Sequence, residues 1–393
     1  MCGREREASG VNQVTAVKRV WSLPDMLSIE WAGGTLGEFA SLWLRDNVRE
    51  DRDPHSGQRL VDVADLPENP RIHLAAVHGA TLRIEWEAES RPATFELEWL
   101  LAHTSNRSEQ RLAFTPRLWL EGARLDATRD FAWATFAAAQ GNRALRARWL
   151  ERLLQDGVAL LSAVPSHETG ILQAAALVGR VAETNYGLVF DVRSVPQPEN
   201  LAYTDLGLGL HTDNPYREPV PGFQVLHALL TSTDGGDSLF GDGFAIAEHL
   251  RATSADAFAL LTRTPVPFLY RSKDAELYAE RPLLQLSCSG EVSAVHYNNR
   301  SIAPLRLAAG KLAPFYSAYR RFAVLLRDPR FQVQFRLRDG DLVVFDNQRI
   351  LHGRTAFSSA SQLRHLRGCY LTRDSVHCEA ALLRRELHPE PRP

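Results

Sequence analysis

The feature that most constrains this chain is its run of short, turn-bounded apolar segments between residues 200 and 370. Residues 224–230, 283–287, 292–297, 332–337, 341–345 and 365–371 each read as one strand. A helical stretch over 314–327 interrupts them. Many short strands with Gly-rich turns and few helices specify a barrel or jelly roll. Ahead of that region, 131–138 and 142–155 carry helical spacing, with Asp156–Gly157 as a stop. The continuous apolar run 158–164 reads as a buried strand, and 168–178 as a further helix. From about 21 to 99, short alternating segments such as 26–31 and 81–87 predict a small antiparallel unit. Trp31, Trp43, Trp86 and Trp99 are its expected core, and the polar stretch 103–110 its linker to the rest. A chain of 393 residues is long for one domain. The division expected is an N-terminal β-rich domain over 15–105 and a second, catalytic domain over 111–385.

Charge and cysteine usage narrow the partners. A net charge of -2, with basic residues scattered beside acids, excludes a nucleic-acid or anionic-membrane partner. Cys2, Cys288, Cys369 and Cys378 form no CxxC pair or framework, which predicts reduced thiols in a cytoplasmic protein. The polar N-terminus has no apolar leader core, and no run approaches the ~18 apolar residues of a membrane span.

His211-Thr212-Asp213 is the first chemical signal. On a strand, residues two apart share a face, so both side chains reach one ion. Alone, such a triplet is common, a surface or core histidine beside a turn aspartate. Downstream, the strand-like 341–345 runs into a turn, and His352 follows. Two imidazoles and a carboxylate make the facial triad of iron(II) oxygenases, with the other half-shell open for substrate and dioxygen. Arg364, one short hairpin later, is placed to pair the distal carboxylate of 2-oxoglutarate bound to that iron.

The chain resembles the γ-butyrobetaine and trimethyllysine dioxygenases of the TauD-like superfamily. The resemblance rests on Asn200-Leu-Ala-Tyr203, His211-Thr-Asp-Asn-Pro, Pro221-Gly222-Phe-Gln-Val-Leu-His227, Gly235-Gly236-Asp-Ser238 and Asp242-Gly243-Phe. It extends to Phe345-Asp-Asn-Gln-Arg-Ile-Leu-His352-Gly-Arg, Arg364-His-Leu-Arg-Gly-Cys-Tyr370 and, early on, Leu42-Trp43-Leu-Arg-Asp46-Asn47. It implies a mainly β chain with flanking helices, a double-stranded β-helix carrying an added N-terminal domain. It also implies hydroxylation of an unactivated C–H bond beside a trimethylammonium group, with Fe(II), 2-oxoglutarate and O2, in a homodimer.

The same resemblance places an aromatic cage at Tyr186, Phe190, Tyr203 and Tyr370, where ring faces suit a cation that donates no strong hydrogen bond. The read-across alone does not separate these four from ordinary core aromatics. It places the anionic end of the substrate at Asn200, Asn298 and Asn299. Asn214 and Arg300 add a donor and a charge there, which turns the expectation towards 2-(trimethylammonio)ethylphosphonate and its 1-hydroxy product. γ-Butyrobetaine, giving carnitine, is the competitor, and a solvent-facing Arg300 the bland alternative. Relatives carry a Cys-rich zinc site after the Trp-Leu-Arg-Asp motif. Here that place reads 48–57 with only His55, so no zinc is expected. Ser238 is expected to touch 2-oxoglutarate; His227 reads as a core histidine, Asp205 and Asp242 as turn residues, and Cys369 as unreactive. Two other readings stand beside this one: a dioxygenase for sulfonates or aryloxy acids, and a non-catalytic betaine-binding jelly roll.

Overall fold

The computed structural model describes residues 16–104, 114–119, 126–193, 204–231, 235–357 and 364–387. The chain divides into two compact units, one up to residue 113 and one from 114 to 390.

The first unit holds two three-stranded antiparallel sheets. β1 (Val17–Leu23), β2 (Met26–Trp31) and β3 (Leu36–Ala40) lead into α1 (Ser41–Asp46). β4 (Ile72–His78), β5 (Thr81–Trp86) and β6 (Ala93–Glu96) lead into α2 (Leu97–Ala102). Alternation buries Leu82, Ile84 and Trp86 on one face of β5, and Trp31 is fully buried. Trp43 and Trp99 pack on this core and stack on each other at 5.4 Å. Ion pairs tie α1 to its surroundings: Arg45 bonds Glu89, between β5 and β6, at 2.8 Å, and Arg59, in the segment after α1, bonds Asp46 at 2.6 Å. His55 is exposed in that segment.

The second unit begins with α3 (Ala127–Asp130), β7 (Ala132–Thr135), α4 (Phe136–Gly141), α5 (Arg143–Asp156), β8 (Val158–Ser162), α6 (Gly170–Ala175), β9 (Val181–Ala182) and β10 (Phe190–Arg193). There follow β11 (Leu208–His211), β12 (Phe223–Leu230), β13 (Ser238–Asp242), α7 (Gly243–Thr253), α8 (Ala255–Arg263), the hairpin β14 (Val266–Arg271) and β15 (Glu276–Arg281), β16 (Leu284–Leu286) and β17 (Val292–Val295). α9 (Ala309–Leu325), β18 (Gln332–Phe335), β19 (Leu342–Asp346), β20 (Ile350–Arg354), β21 (His365–Leu371) and α10 (Arg373–Leu387) complete it.

Two sheets form a double-stranded β-helix. The larger runs β10–β21–β12–β19–β8–β7, with β9 also on β21; the smaller runs β11–β20–β13–β18. Inward-facing Phe240, Phe345, Ile350 and Leu366 form an apolar cluster drawn from both sheets. On its other face the larger sheet packs Val225, Val344, Cys369 and Leu371 against Leu150 and Leu153 of α5 and Leu383 of α10. His227 belongs to the same strand and is fully buried.

Some elements depart from the sequence reading. Residues 131–138 are not one helix: Ala132–Thr135 pairs in parallel with β8, and the Thr135 side chain then caps α4 by accepting from the Ala138 N–H. Sheet pairing overrides the helical preference of the alanines. The helices α7, α8 and α10 and the hairpin β14–β15 were not evident in the sequence. Asp242 is more than a turn residue. It is fully buried, accepts from the N–H groups of Phe244 and Trp119 at 3.0 Å each, and pairs with Arg349 at 2.8 Å. Arg349 also donates to the carbonyls of Gln155 and Arg117, both at 2.7 Å.

Breaking a buried pair strands an uncompensated charge. Arg349→Leu is therefore expected to destabilise the fold by about 3–5 kcal/mol in chemical denaturation. Glu386→Ala, which removes the exposed pair with Arg143, should cost less than about 1 kcal/mol.

Candidate active site

One strand pairing builds the centre. β11 and β20 run antiparallel with His211 opposite His352, and a register irregularity between Leu208 and His211 aims the first histidine inward. The imidazole centroids are 4.3 Å apart. Asp213 follows on the turn, with Oδ1 3.3 Å from His211 Nε2 and Oδ2 3.9 Å from His352 Nε2. One donor atom from each residue lies within 4.8 Å of the other two.

The donor set fits a divalent ion. The Nδ1 of His211 lies 3.0 Å from the Gly209 carbonyl, which assigns the proton there and frees the Nε2 lone pair. Burial, with the neighbouring His211, pushes His352 down to about 3, so it is a neutral ligand at physiological pH. Against its burial, the imidazoles and the Tyr370 hydroxyl hold the Asp213 carboxyl far below the usual carboxylate range. A permanent carboxylate beside two imidazoles, with no thiolate in the set, suits ferrous iron.

The backbone of this turn is clamped from two directions. Asn347, fully buried, accepts the Asp213 N–H at 2.7 Å and donates to its carbonyl at 3.0 Å and to that of Pro221 at 3.2 Å. Thr212 exchanges bonds with Tyr297, its N–H donating at 2.7 Å and its hydroxyl accepting at 3.0 Å. Asn347 lay inside a recognisable sequence motif, but only its tertiary position reveals the clamp.

The triad opens into a cavity of about 440 Å³. Period-2 alternation puts Gln224 and Leu226 of β12, Ser238 and Phe240 of β13, His352 and Arg354 of β20, and Leu366 and Tyr370 of β21 on its wall. Arg364 and Ser238 both line it. Burial, then the charge of Arg354, lowers Arg364 to about 10. Its guanidinium lies 5.7 Å from the Phe357 ring centroid, and a buried cation so placed calls for an anion. A β-carbon at Gly236 would stand 3.1 Å from the Arg364 Cδ, so glycine lets that side chain pass.

Tyr186, Phe190 and Tyr370 come together, Phe190–Tyr370 at 5.1 Å and Tyr186–Phe190 at 6.1 Å between centroids. Gly368 makes room: a β-carbon there would meet the Phe190 ring at 2.5 Å. The structure adds two rings that the sequence reading missed. Tyr270, from the hairpin, stacks on Tyr216 at 5.1 Å and meets Tyr186 edge-on at 6.1 Å. Burial raises Tyr216 to about 12, and Tyr186 further still, so these rings stay neutral phenols.

Of the residues expected at the anionic pole, Asn214 holds a positive φ of 53° and is buried. Its Oδ1 accepts from Tyr216 at 2.6 Å, while its Nδ2 has no partner. Gln224 Oε1, also on the wall, is likewise unpartnered. Asn298 lines the cavity, though its Nδ2 donates to the Thr212 carbonyl at 3.2 Å and its Oδ1 accepts from the Arg300 N–H at 3.3 Å. Arg300 lines the cavity and is exposed at its mouth. Asn299 corrects the sequence reading: it lies exposed on the turn after β17 and is not part of the wall, because alternate residues of the turn face opposite ways. Asn200 and Tyr203 lie outside the described residues.

Comparison with known proteins follows this geometry. Residues 123–370 match the family model described as taurine catabolism dioxygenase TauD, TfdA family. The chain is similar to the gamma-butyrobetaine dioxygenase of Pseudomonas sp. (strain AK-1), 35% identical over 91% of this chain and 94% of the relative. It is 31% identical to the dioxygenase str8 of Strobilurus tenacellus, over 87% of this chain and 84% of the relative. With the trimethyllysine dioxygenase of Meyerozyma guilliermondii it shares 28% identity, over 91% and 94%.

Two substitutions test the centre. Asp213→Ala removes the anionic donor and should abolish stoichiometric Fe(II) uptake, measured by metal analysis after dialysis, with the fold retained by circular dichroism. Arg364→Met should weaken 2-oxoglutarate binding by about 30-fold or more, as expected for loss of a charge-assisted bidentate pair. Unchanged calorimetric affinity would remove Arg364 from that role.

Proposed function

The chain belongs to the TauD/TfdA dioxygenase family, and from that premise we propose that it hydroxylates a small trimethylammonium betaine, γ-butyrobetaine foremost. It is an Fe(II)- and 2-oxoglutarate-dependent oxygenase of the group that contains the γ-butyrobetaine and trimethyllysine dioxygenases. Bound iron supplies the oxidising chemistry: one atom of O2 enters the substrate as hydroxyl, and the other leaves in the succinate formed as 2-oxoglutarate loses CO2. In this proposal His211, Asp213 and His352 hold the ion. Arg364, with Ser238 nearby, holds the far carboxylate of 2-oxoglutarate.

The observation that carries the substrate reading is the set of neutral aromatic faces beside the triad. Tyr186, Phe190 and Tyr370 offer π-surface to a cation that no hydrogen-bond acceptor can satisfy, and Tyr216 and Tyr270 extend it. Arg217 already lies over the rings of Tyr186 and Tyr216, at 5.5 and 6.0 Å, so these faces attract cations within the chain itself. The unpartnered Asn214 Nδ2 supplies a donor for the anionic pole of a zwitterion. Sulfonates and aryloxy acids bring no cation to such a cage. An intact donor set speaks for turnover over passive binding.

The head group was expected to be a phosphonate, and similarity to a gamma-butyrobetaine dioxygenase now moves the carboxylate ahead. Arg300 at the cavity mouth still favours 2-(trimethylammonio)ethylphosphonate as a second reading. The proposal extends to a cytoplasmic homodimer. Cys288, Cys369 and Cys378 are unpaired, as a reducing compartment leaves them, and light scattering tests the dimer.

Succinate release and product mass, measured with each betaine, discriminate the head groups; kcat/KM is expected to be at least about 10-fold higher for γ-butyrobetaine. The primary-amine analogue should bind about 10- to 30-fold more weakly, as loss of cation–π contact with a desolvated group implies. Equal acceptance of that amine would take the cage out of the reading.

A further inference from the structure

Among the described cage residues, only Tyr370 touches the metal-binding carboxylate. Its ring packs on Phe190, while its hydroxyl donates to Asp213 Oδ2 at 2.8 Å. We propose that Tyr370 is a positioning residue that couples occupancy of the aromatic cage to the geometry of the Asp213 carboxylate.

The carboxylate has two oxygens with different surroundings. Oδ1 lies 3.3 Å from His211 Nε2, and Oδ2 lies 3.9 Å from His352 Nε2. Oδ2 is held by the phenol. A carboxylate with one oxygen occupied in this way offers the ion a single donor, which keeps a coordination position open.

The remaining freedom of Asp213 is what gives this bond leverage. Its backbone N–H and carbonyl are both fixed by Asn347. The side-chain torsions remain, and Tyr370 is the hydroxyl that sets them. The Tyr370 ring stands on β21 next to Gln224 of β12 by strand register and packs on Phe190. A cation settling on the ring face acts on the same rigid group that holds Oδ2. Tyr186 offers a contrast within the cage, since its hydroxyl faces Tyr216 at 3.4 Å and not the carboxylate.

The coupling half of this inference rests on the betaine reading; the positioning half does not. The test uses the full chain loaded with Co(II), comparing wild type, Tyr370→Phe and Tyr186→Phe, with folding checked by thermal melting. Without any betaine, Tyr370→Phe should weaken Co(II) binding by about 10-fold, the usual effect of losing a partner of a metal ligand, and Tyr186→Phe should leave it within about twofold. With γ-butyrobetaine and 2-oxoglutarate added, wild type and Tyr186→Phe should shift their Co(II) visible absorption. Tyr370→Phe should still bind the betaine, because its ring remains, yet show no shift. Unchanged Co(II) affinity in Tyr370→Phe overturns the positioning role. A betaine-induced shift that persists in Tyr370→Phe overturns the coupling. Wild type that binds no betaine sinks the substrate reading, and the metal comparison still decides the positioning role by itself.

Discussion

The chemistry of this protein depends on how β11 lies against β20. An ion needs its donors within a few ångströms of one another, and no single strand of this chain supplies three. Cross-strand pairing places the Cα atoms of His211 and His352 opposite each other, and the irregularity before His211 turns its ring towards the interior. The turn that carries Asp213 cannot be held by ladder bonds, because it lies beyond the strand end. Side chains from elsewhere do this instead: Asn347 on one side, Thr212 with Tyr297 on the other. A buried asparagine is suited to the task, since one planar amide satisfies an N–H and a carbonyl at once.

Charge is handled in two different ways inside the second unit. Asp242 and Arg349 neutralise each other, and each polar atom of the two side chains finds a partner in the other side chain or in the backbone. That pair ties α7, the end of α5 and the turn before β20 into one body, and its interior has no need of a ligand. The cavity is built on the opposite principle. Burial, then the charge of Arg354, lowers the proton affinity of Arg364, and Asn214 and Gln224 leave polar atoms bare. Folded proteins seldom tolerate such groups without a partner, so these walls are shaped for an occupant.

Much of this was legible in the sequence because it obeys local rules. The His-x-Asp triplet and His352 stand out by residue type, and Arg364 and Tyr370 share the parity that β21 turns inward. Tyr216, Tyr270, Gln224 and Asn347 are ordinary residues in sequence; they matter through strand register and packing, which no local pattern encodes. The same holds for Ala132–Thr135, where pairing with β8 decides the conformation. α10 is rich in charge and has only a narrow apolar stripe, Val376, Ala380 and Leu383, so its helical period is weak in the sequence yet sufficient to cover the sheet. Asn299 shows the limit of reading a run of similar residues: of three neighbours in one turn, two face the cavity and the middle one faces water.

The two poles of the cavity also limit what can occupy it. In the proposed reading a dianionic co-substrate answers Arg364, and the ion answers the triad. What remains is a ring-lined region with no available carboxylate among the described residues, since the one nearby, Asp213, is committed to the imidazoles and to Tyr370. A hydrogen-bonding ammonium entering there would lose its water and gain no acceptor of comparable strength. A quaternary ammonium loses far less, because its hydration is diffuse, and the ring faces replace it. Selection of the substrate therefore comes as much from withholding a carboxylate as from offering aromatic surface. In this cavity the same bond, Tyr370 to Asp213, does the withholding and keeps the carboxylate aligned for the metal.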